Sequence, residues 1–246
     1  MVLPVALASA LALAGCSASE INSGIGVAGN LFKGFSITNE QLAAEARLSV
    51  EAMDKKQKVA SAKNRYSRRL RKLTRNLQHY EGMNLNYKVY LSKTVNAFAT
   101  PDGSVRVYSG LMDMMSDDEL LAVIGHEIGH VKKQHSLNEY KKAYIAKAVK
   151  EGVTAYGSGT ASALAGSYGD IGLQFLGAQF SQSDELEADS YGVGVLKYLG
   201  KNPCAAVSAQ RKLQQLGSSG GLFSSHPSSA KRIDKLDKVT GGVCAK

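Results

Sequence analysis

Two histidines and a glutamate in the stretch His126-Glu127-Ile128-Gly129-His130 have the types and spacing needed to bind a metal ion and hydrolyse a peptide bond. On a helix His126 and His130 are separated by about 400° of rotation, so both imidazoles project from one face and can bind one zinc ion. Glu127 lies beside them, where its carboxylate can take a proton from a zinc-bound water and pass it to a leaving amine. The stretch therefore predicts a zinc-binding helix, with Glu127 as the catalytic base.

A zinc ion that keeps an open position for water and substrate needs a third protein ligand. Glu185 and Asp189 are four residues apart and share one face of a second predicted helix, so Glu185 can bind zinc while Asp189 accepts a hydrogen bond from a ligating histidine. Glu187 points away from that face. An acidic helix start is also explained by the helix dipole alone. His135 would face away from His130 on a continuing helix, and we interpret it as a surface histidine.

The elements that must position these residues are mostly helical, around a small sheet. Three short strands are predicted at Asn86–Leu91, Asn96–Thr100 and Ser104–Tyr108, and Pro101-Asp102-Gly103 indicates that a turn joins the last two as a hairpin. Ser116 and Glu119 form a capping box that predicts where the motif helix starts. The fold class is therefore α+β, predominantly helical, with the three-stranded sheet beside the motif helix.

Further helices are predicted on both sides of this sheet. Thr38 and Gln41 form another capping box, and a helical pattern continues from there to Tyr80 with one or two breaks. The remaining predicted helices are 111–115, 137–156, a helix capped by Ser183 that runs to Leu199, 203–216 and 228–239. Residues 152–180, rich in Gly, Ala and Ser, can form either a mobile lid over the site or a closely packed helix pair.

The formal net charge of +9 on 246 residues is unevenly distributed. Ten Lys and Arg and no acidic residue lie between Lys55 and Arg75. Apolar residues from Val59 to Leu77 recur at three- and four-residue steps, which predicts one amphipathic helix with a basic back. That face can be solvated, or it can lie against anionic lipid head groups. No nucleic-acid-binding motif occurs, so nucleic acid is not an expected partner.

The first fifteen residues are almost wholly apolar and too short to span a bilayer, which is typical of a signal peptide. The sequence Leu13-Ala14-Gly15-Cys16 resembles a bacterial lipobox. Cleavage there would leave Cys16 as a lipidated N-terminus that attaches the protein to a membrane. Ser17, rather than an aspartate, favours the outer membrane. We expect residues 16–36 to be the tether and residues 37–246 to be the main domain.

Cys204 and Cys244 are the two cysteines that remain in a chain expected to enter an oxidising compartment. We predict that they form a disulfide, which would stabilise the fold by up to about 4 kcal/mol. The alternative interpretation of Cys204 is a small buried hydrophobic residue near a helix start.

Gly125 to His130, together with Glu185-x-x-Ala188-Asp189, resembles the zinc metallopeptidase family that includes HtpX, BepA, the CAAX prenyl endopeptidases and the OMA-type proteases. Within that family, stretches between Asn86 and Met115 resemble the LoiP and YcaL type of bacterial lipoprotein protease. The resemblance runs from about residue 36 to the C-terminus. It implies a zincin-like (minigluzincin) domain that binds one Zn2+ ion.

The resemblance also implies residue roles. His126, His130 and Glu185 would be the zinc ligands, Glu127 the catalytic base and Asp189 the acid that orients a ligand. Those lipoproteins carry a cysteine pair in the regions of Ala52 and Ser104 that this sequence lacks, so the predicted Cys204–Cys244 disulfide is not taken from them.

Two further roles depend on the same resemblance. The family pattern places His-Pro before an Arg, matched here by His226-Pro227 and Arg232. His226 can be a fourth zinc ligand at rest, or it can donate a hydrogen bond to the oxyanion during turnover. Residues Ala97-Phe98-Ala99 are expected to pair with the substrate backbone, the alternative being an ordinary hairpin strand.

These observations predict a zinc-dependent endopeptidase attached by lipid to the periplasmic side of the bacterial outer membrane. Its expected substrates are unfolded or misassembled envelope proteins, with outer-membrane assembly machinery as a candidate partner. The alternative is a chaperone or assembly factor whose zinc site is structural or rarely open. Zinc is inferred from ligand type and family, since other divalent ions accept the same ligands.

Overall fold

The computed structural model describes residues 38–158, 175, 179–216, 222–227 and 230–244, with only the backbone described at 147–158 and 223–224. The predicted signal peptide, Cys16 and the tether lie outside the described residues. Most of the 152–180 segment, whose lid and helix-pair interpretations were both open, also lies outside them.

The small sheet contains the three predicted strands. They are β1 (Asn86–Tyr90), β2 (Ala97–Ala99) and β3 (Ser104–Tyr108), in the order β1-β3-β2. β2 is antiparallel to β3 and forms the predicted hairpin, whereas β1 is parallel to β3. The turn closes at Gly103, which has a φ of +84° that favours glycine. The sheet is therefore mixed, with β1 and β2 at its edges.

Helices surround this sheet. The first two are α1 (Asn39–Lys56) and α2 (Arg65–Thr74), followed by a single 3-10 turn at Tyr80–Gly82. After the strands come α3 (Ser109–Met114), α4 (Asp117–Lys132) and α5 (His135–Ser158). The remaining described helices are α6 (Gln182–Tyr198), α7 (Cys204–Gln214), α8 (Leu222–Ser225) and α9 (Ala230–Val239). Both capping boxes predicted before α1 and α4 form.

The prediction of one amphipathic helix through Val59 and Leu77 is wrong. Residues just before α2 are extended: Ala60 N–H donates to Val89 C=O at 2.9 Å, and Leu91 N–H donates to Lys58 C=O at 2.8 Å. This segment pairs with the edge of β1, and a new helix starts only after Asn64, whose side chain caps it. Long-range backbone pairing thus replaces the local helical pattern.

The predicted cap of α6 at Ser183 is also wrong, because Ser181 is the N-cap. The Ser181 hydroxyl accepts the Asp184 N–H, and the Asp184 carboxylate accepts the Ser181 N–H at 3.1 Å. A capping box needs an acid or amide three residues after the cap, and Ser183 has Leu186 there.

The main core lies between the sheet and the helices α4, α6 and α7. Every residue of α4 from Glu119 to His130 is buried. The structure joins Cys204 at the start of α7 to Cys244 after α9, with their Cα atoms 5.3 Å apart. In the described part of the chain, no helix is both long enough and apolar enough to cross a membrane.

Candidate metal centre and active site

α4 places the three motif residues in the interior. His126, Glu127 and His130 are 7%, 1% and 0% exposed. The helix starts firmly because Ser116 and Glu119 satisfy each other's backbone N–H groups, and its apolar residues pack into the core on both sides of the motif. Both imidazoles project from one face, as the spacing predicts, and the His126 and His130 Nε2 atoms lie 3.0 Å apart.

α6 approaches α4 closely because small residues line the crossing. A Cβ atom added at Gly192 would lie 3.0 Å from the Ala122 carbonyl oxygen and 3.0 Å from the His126 backbone nitrogen. One added at Gly129 would lie 3.1 Å from the Ala188 Cα atom. Without side chains at these positions, the backbones can meet closely enough for the short carboxylates of α6 to reach the histidines of α4.

Four donor atoms converge at this crossing. The group consists of His126, His130, Glu185 and His226, all buried, with one ligand atom from each lying within 4.8 Å of the others. Glu185 Oε1 lies 3.3 Å from His130 Nε2 and 2.9 Å from His226 Nδ1, and His226 Nδ1 lies 3.2 Å from His126 Nε2. Tetrahedral zinc with bonds of about 2.0–2.1 Å would place its donors roughly 3.3 Å apart. The set therefore fits a zinc ion in donor type, number and spacing.

A second layer of contacts orients the donors. Asp189 Oδ1 lies 2.9 Å from His126 Nδ1, which leaves His126 Nε2 directed at the cluster. Arg232 donates to both oxygens of Asp189, at 2.8 and 2.7 Å, and its guanidinium also lies 2.6 Å from Glu185 Oε2. Arg232 thereby couples α9 to the two acids of α6.

His226 enters the site from the residue after α8. Its backbone N–H donates to the Leu222 carbonyl, and its side chain is 2% exposed. His226 Nε2 lies 3.4 Å from Glu127 Oε1, a buried atom for which the described residues supply no hydrogen-bond partner. Burying a carboxylate oxygen without such a partner costs free energy. The Glu127 oxygen lies where a reacting water could be bound.

The pKa shifts of Glu185 and His130 favour metal binding, and that of Glu127 favours base catalysis. Burial opposes ionisation of Glu185, but the charges of His226 and Arg232 hold its pKa well below the ordinary value. Burial lowers the pKa of His130, so its imidazole is neutral. Burial also raises the pKa of Glu127, as expected for a carboxylate that must accept a proton near neutral pH.

The interpretation of His135 as a surface histidine is wrong. α4 ends at Lys132, Gln134 adopts a φ of +61°, and His135 begins a new helix instead of continuing the old one. His135 is 6% exposed, and its Nδ1 atom lies 3.2 Å from the Nδ1 atom of His130. It contacts a donor of the cluster from behind, without belonging to the cluster.

Glu187 lies on the outside of α6, as its helical position indicates. Its carboxylate pairs with Lys133 at 2.8 Å and contacts His135 at 3.2 Å. Between the two glutamates of this helix, only Glu185 reaches the cluster.

The aromatic side chain of Phe180, which has no catalytic group, covers part of the site. Phe180 stacks on the His130 ring with the centroids 3.8 Å apart, and its N–H donates to the Ser225 carbonyl at 3.1 Å. Phe180 was not predicted from the sequence, where an aromatic residue in a Gly- and Ala-rich segment carries no positional signal.

The predicted substrate strand, Ala97–Ala99, is buried at a sheet edge, where Ser136 Oγ donates to the Ala99 carbonyl at 3.0 Å.

Comparison with known proteins gives matches over most of the chain. A model of peptidase family M48 matches residues 60–240. The metalloprotease LoiP of Escherichia coli (strain K12) is 36% identical over 235 residues, covering 94% of this chain and 93% of LoiP. The metalloprotease YcaL of the same organism is 37% identical over 250 residues, 98% of each chain. The mitochondrial metalloendopeptidase OMA1 of Arabidopsis thaliana is 34% identical over 165 residues, covering 64% of this chain and 32% of OMA1.

Proposed function

Because this chain belongs to peptidase family M48 and is a metalloendopeptidase, we propose that His126, His130 and Glu185 bind zinc and that Glu127 is the catalytic base. The observation that carries this proposal is the convergence of three imidazole nitrogens and one carboxylate oxygen beside Glu127. The relation to the HtpX, OMA and LoiP/YcaL proteases expected from the sequence is confirmed by the family match and the relatives.

The residues of the cluster divide the chemistry of peptide hydrolysis. Zinc bound there would polarise the scissile carbonyl and lower the pKa of a bound water. Glu127 accepts a proton from the attacking water and delivers it to the leaving amine, a task that its raised pKa favours. Asp189 holds the His126 ring in the tautomer that presents Nε2 to the metal.

His226 is best explained as a fourth donor in the resting enzyme. Its Nδ1 atom is close to both Glu185 and His126, as a ligand would be. Substrate entry then requires the His226 loop to move away, along with Phe180, which contacts both His130 and His226. The alternative role, donation to the oxyanion, would require the ring to remain beside Glu127 during turnover.

The substrate is an extended polypeptide. Among the described strands, β2 pairs only with β3, so a peptide can add along its other edge beside Ala97 and Ala99. In the structure Ser136 bonds to the Ala99 carbonyl, and a bound peptide would replace that contact. Backbone pairing selects extended, unfolded chains over folded ones, which supports a role in removing unfolded or misassembled proteins.

The proposed location is the periplasmic side of the outer membrane. The sequence before Cys16 supports cleavage and lipid attachment, and a disulfide between Cys204 and Cys244 suits an oxidising compartment. Envelope proteins, together with the machinery that assembles them, would then be the accessible partners. Labelling with radioactive palmitate should mark the wild-type chain but not the variant Cys16→Ala, and equal labelling would contradict the anchor.

The activity is tested by cleavage of an unfolded protein such as reduced casein. Wild type should cleave it, a chelator should abolish cleavage and added zinc should restore it. Glu127→Gln should lower the rate by at least about a hundredfold because the base is lost. Glu51→Gln makes the same chemical change at an exposed site of α1 and should leave the rate unchanged. Equal cleavage by wild type and Glu127→Gln would contradict the proposal.

A further inference from the structure

The outer edge of β1, at the opposite side of the sheet from β2, has hydrogen-bonded partners along only part of its length. β1 bonds to β3 through residues such as Asn86, whose N–H donates to the Gly103 carbonyl, so Tyr87 and Val89 direct their backbone groups outward. The outward Val89 carbonyl accepts from Ala60 N–H. Within the described chain, no partner is recorded for the Tyr87 N–H, the Tyr87 carbonyl or the Val89 N–H.

The chain itself shows that this edge accepts an antiparallel strand. Val59 forms an antiparallel bridge with Tyr90. On either side of Val59, the Ala60 N–H donates to β1 and the Lys58 carbonyl accepts from Leu91, as in a regular strand pair. The pairing ends at Ala60, whose carbonyl accepts a bond from the Ser67 hydroxyl instead of from Val89 N–H. Beyond this point β1 keeps its strand geometry, but no strand of the described residues lies beside it.

A groove of about 580 Å³ runs along this open edge, between β1 and α2. That volume lies within the roughly 300–1,000 Å³ found for binding sites. Its walls include Leu70 and Thr74 of α2 and the strand residues Tyr87 and Val89. The groove therefore combines apolar walls with unpaired backbone groups, the two features that extended peptides use to bind.

The charge around the groove is positive. The lining contains Arg71 and Lys88 and no acidic residue. Lys88 is paired with Asp54. Within the described residues Arg71 donates one hydrogen bond, to the Ala62 carbonyl, so its guanidinium has further donors available. A ligand with carboxylates complements this surface.

From these observations we infer that the groove between β1 and α2 is a second peptide-binding site, which holds an extended, acidic segment of another polypeptide as an added strand beside Tyr87. The segment pairs with the Tyr87 N–H and carbonyl, and its carboxylates lie against Arg71. The site is at the opposite sheet edge from β2, so it would hold a region of a bound chain distant from the bond to be cleaved. If this second peptide-binding site does not exist, the proposed peptidase activity is unaffected.

The test uses a fluorescent decapeptide of alternating Glu and Val, titrated onto the full chain in the Glu127→Gln background to prevent cleavage. Adding Arg71→Glu should weaken binding at least about tenfold. Adding Arg68→Glu should change it less than about twofold, because Arg68 carries the same charge on the same helix outside the groove. Methylating every backbone nitrogen of the peptide should abolish binding, since it removes the donors from both edges of the added strand.

Hydrogen exchange locates the bound peptide. The Tyr87 amide should exchange more slowly when the decapeptide is bound, and the same peptide with Lys in place of Glu should give no protection. Equal weakening by Arg71→Glu and Arg68→Glu, binding that survives backbone methylation, or an unprotected Tyr87 amide would each overturn the inference. Tighter binding of a synthetic peptide of residues 17–37 would also overturn it, because the resident strand would then be the chain's own.

Discussion

The polar atoms of the cluster contact one another, as expected for a site that is closed to substrate. His226 Nδ1 lies 2.9 Å from Glu185 Oε1, while its Nε2 lies 3.4 Å from the carboxylate of Glu127. One imidazole thus contacts a proposed zinc ligand and the proposed base together. A substrate carbonyl and an attacking water need the same space, so we interpret this arrangement as the resting state.

At this scale we predict that His226→Ala increases the cleavage rate of reduced casein at least about threefold, because the fourth donor no longer competes with substrate. Initial rates at saturating zinc measure the effect. Glu51→Ala removes an exposed side chain of α1 outside the cluster and should leave the rate unchanged. A slower His226→Ala enzyme with wild-type zinc content would instead assign His226 to oxyanion stabilisation.

Glu119 supplies a prediction about pH. Burial would raise the pKa of Glu119, but hydrogen bonds from Lys212, Ser116 and Ser208 lower it from 4.5 to about 2. Because the folded pKa is the lower one, this stabilisation is fully present above about pH 4.5 and is lost as the pH falls towards 2. Lys212 is half-exposed, which limits the contribution to about 2 kcal/mol.

We therefore expect Glu119→Gln to lower the free energy of unfolding by about 2 kcal/mol at pH 6 and by only about 0.5 kcal/mol at pH 2.5. Urea denaturation at a series of pH values measures the difference between the two proteins. A difference that stays constant across that range would show that the Glu119 charge is not the cause.

At the scale of elements, the crossing of α4 and α6 determines where the carboxylates lie. The crossing is close because Gly125, Gly129 and Gly192 leave room for the opposite backbone. A displacement of about 1 Å in such a site can cost about a hundredfold in rate. The packing of this one helix pair therefore affects both the stability of the fold and the proposed activity of the site.

Replacing Gly192 by Ala should lower kcat/KM at least about tenfold, because the new Cβ atom would lie 3.0 Å from two backbone atoms of α4. Gly194, on the same helix, has nothing within 4 Å of an added Cβ atom. Gly194→Ala should keep full activity and gain up to about 1 kcal/mol in the free energy of unfolding. Equal activity of the two variants would contradict the proposed role of the crossing.

Local signals predicted the elements that depend on neighbouring residues. The capping box of α4 and the hairpin at Gly103 each depend on a few adjacent side chains, and both form. The segment before α2 was mispredicted because its partner, β1, is about thirty residues away in the sequence. The position of His135 was missed for a related reason: α4 ends at Lys132 without the glycine that usually marks a helix end.

At the scale of the whole molecule, long-range contacts join the C-terminal region to the site. Arg232 of α9 binds Asp189, and Cys244 is linked to Cys204. The family pattern included Arg232, but its ion pairs could not be deduced from spacing, because a contact over 43 residues depends on the packed fold. The proposed metal ligands on α4 were predictable since they share one helix.

The disulfide should stabilise this region. Closing a loop of 40 residues removes conformational entropy from the unfolded chain, for a gain of up to about 4 kcal/mol. We expect the double variant Cys204→Ser/Cys244→Ser to unfold at lower urea concentration than wild type, and wild type treated with dithiothreitol to match it. Identical midpoints for reduced and oxidised wild type would contradict the disulfide.

The central claim is that the convergence of α4, α6 and the His226 loop forms a zinc site, and zinc content per chain tests it most directly. Inductively coupled plasma mass spectrometry of the purified protein should find one zinc per wild-type chain. Glu185→Gln should lose most of its zinc, whereas Glu187→Gln, two residues away on the outer face of α6, should retain it. Wild-type zinc content in Glu185→Gln, or a chain that binds no zinc at all, would contradict the account.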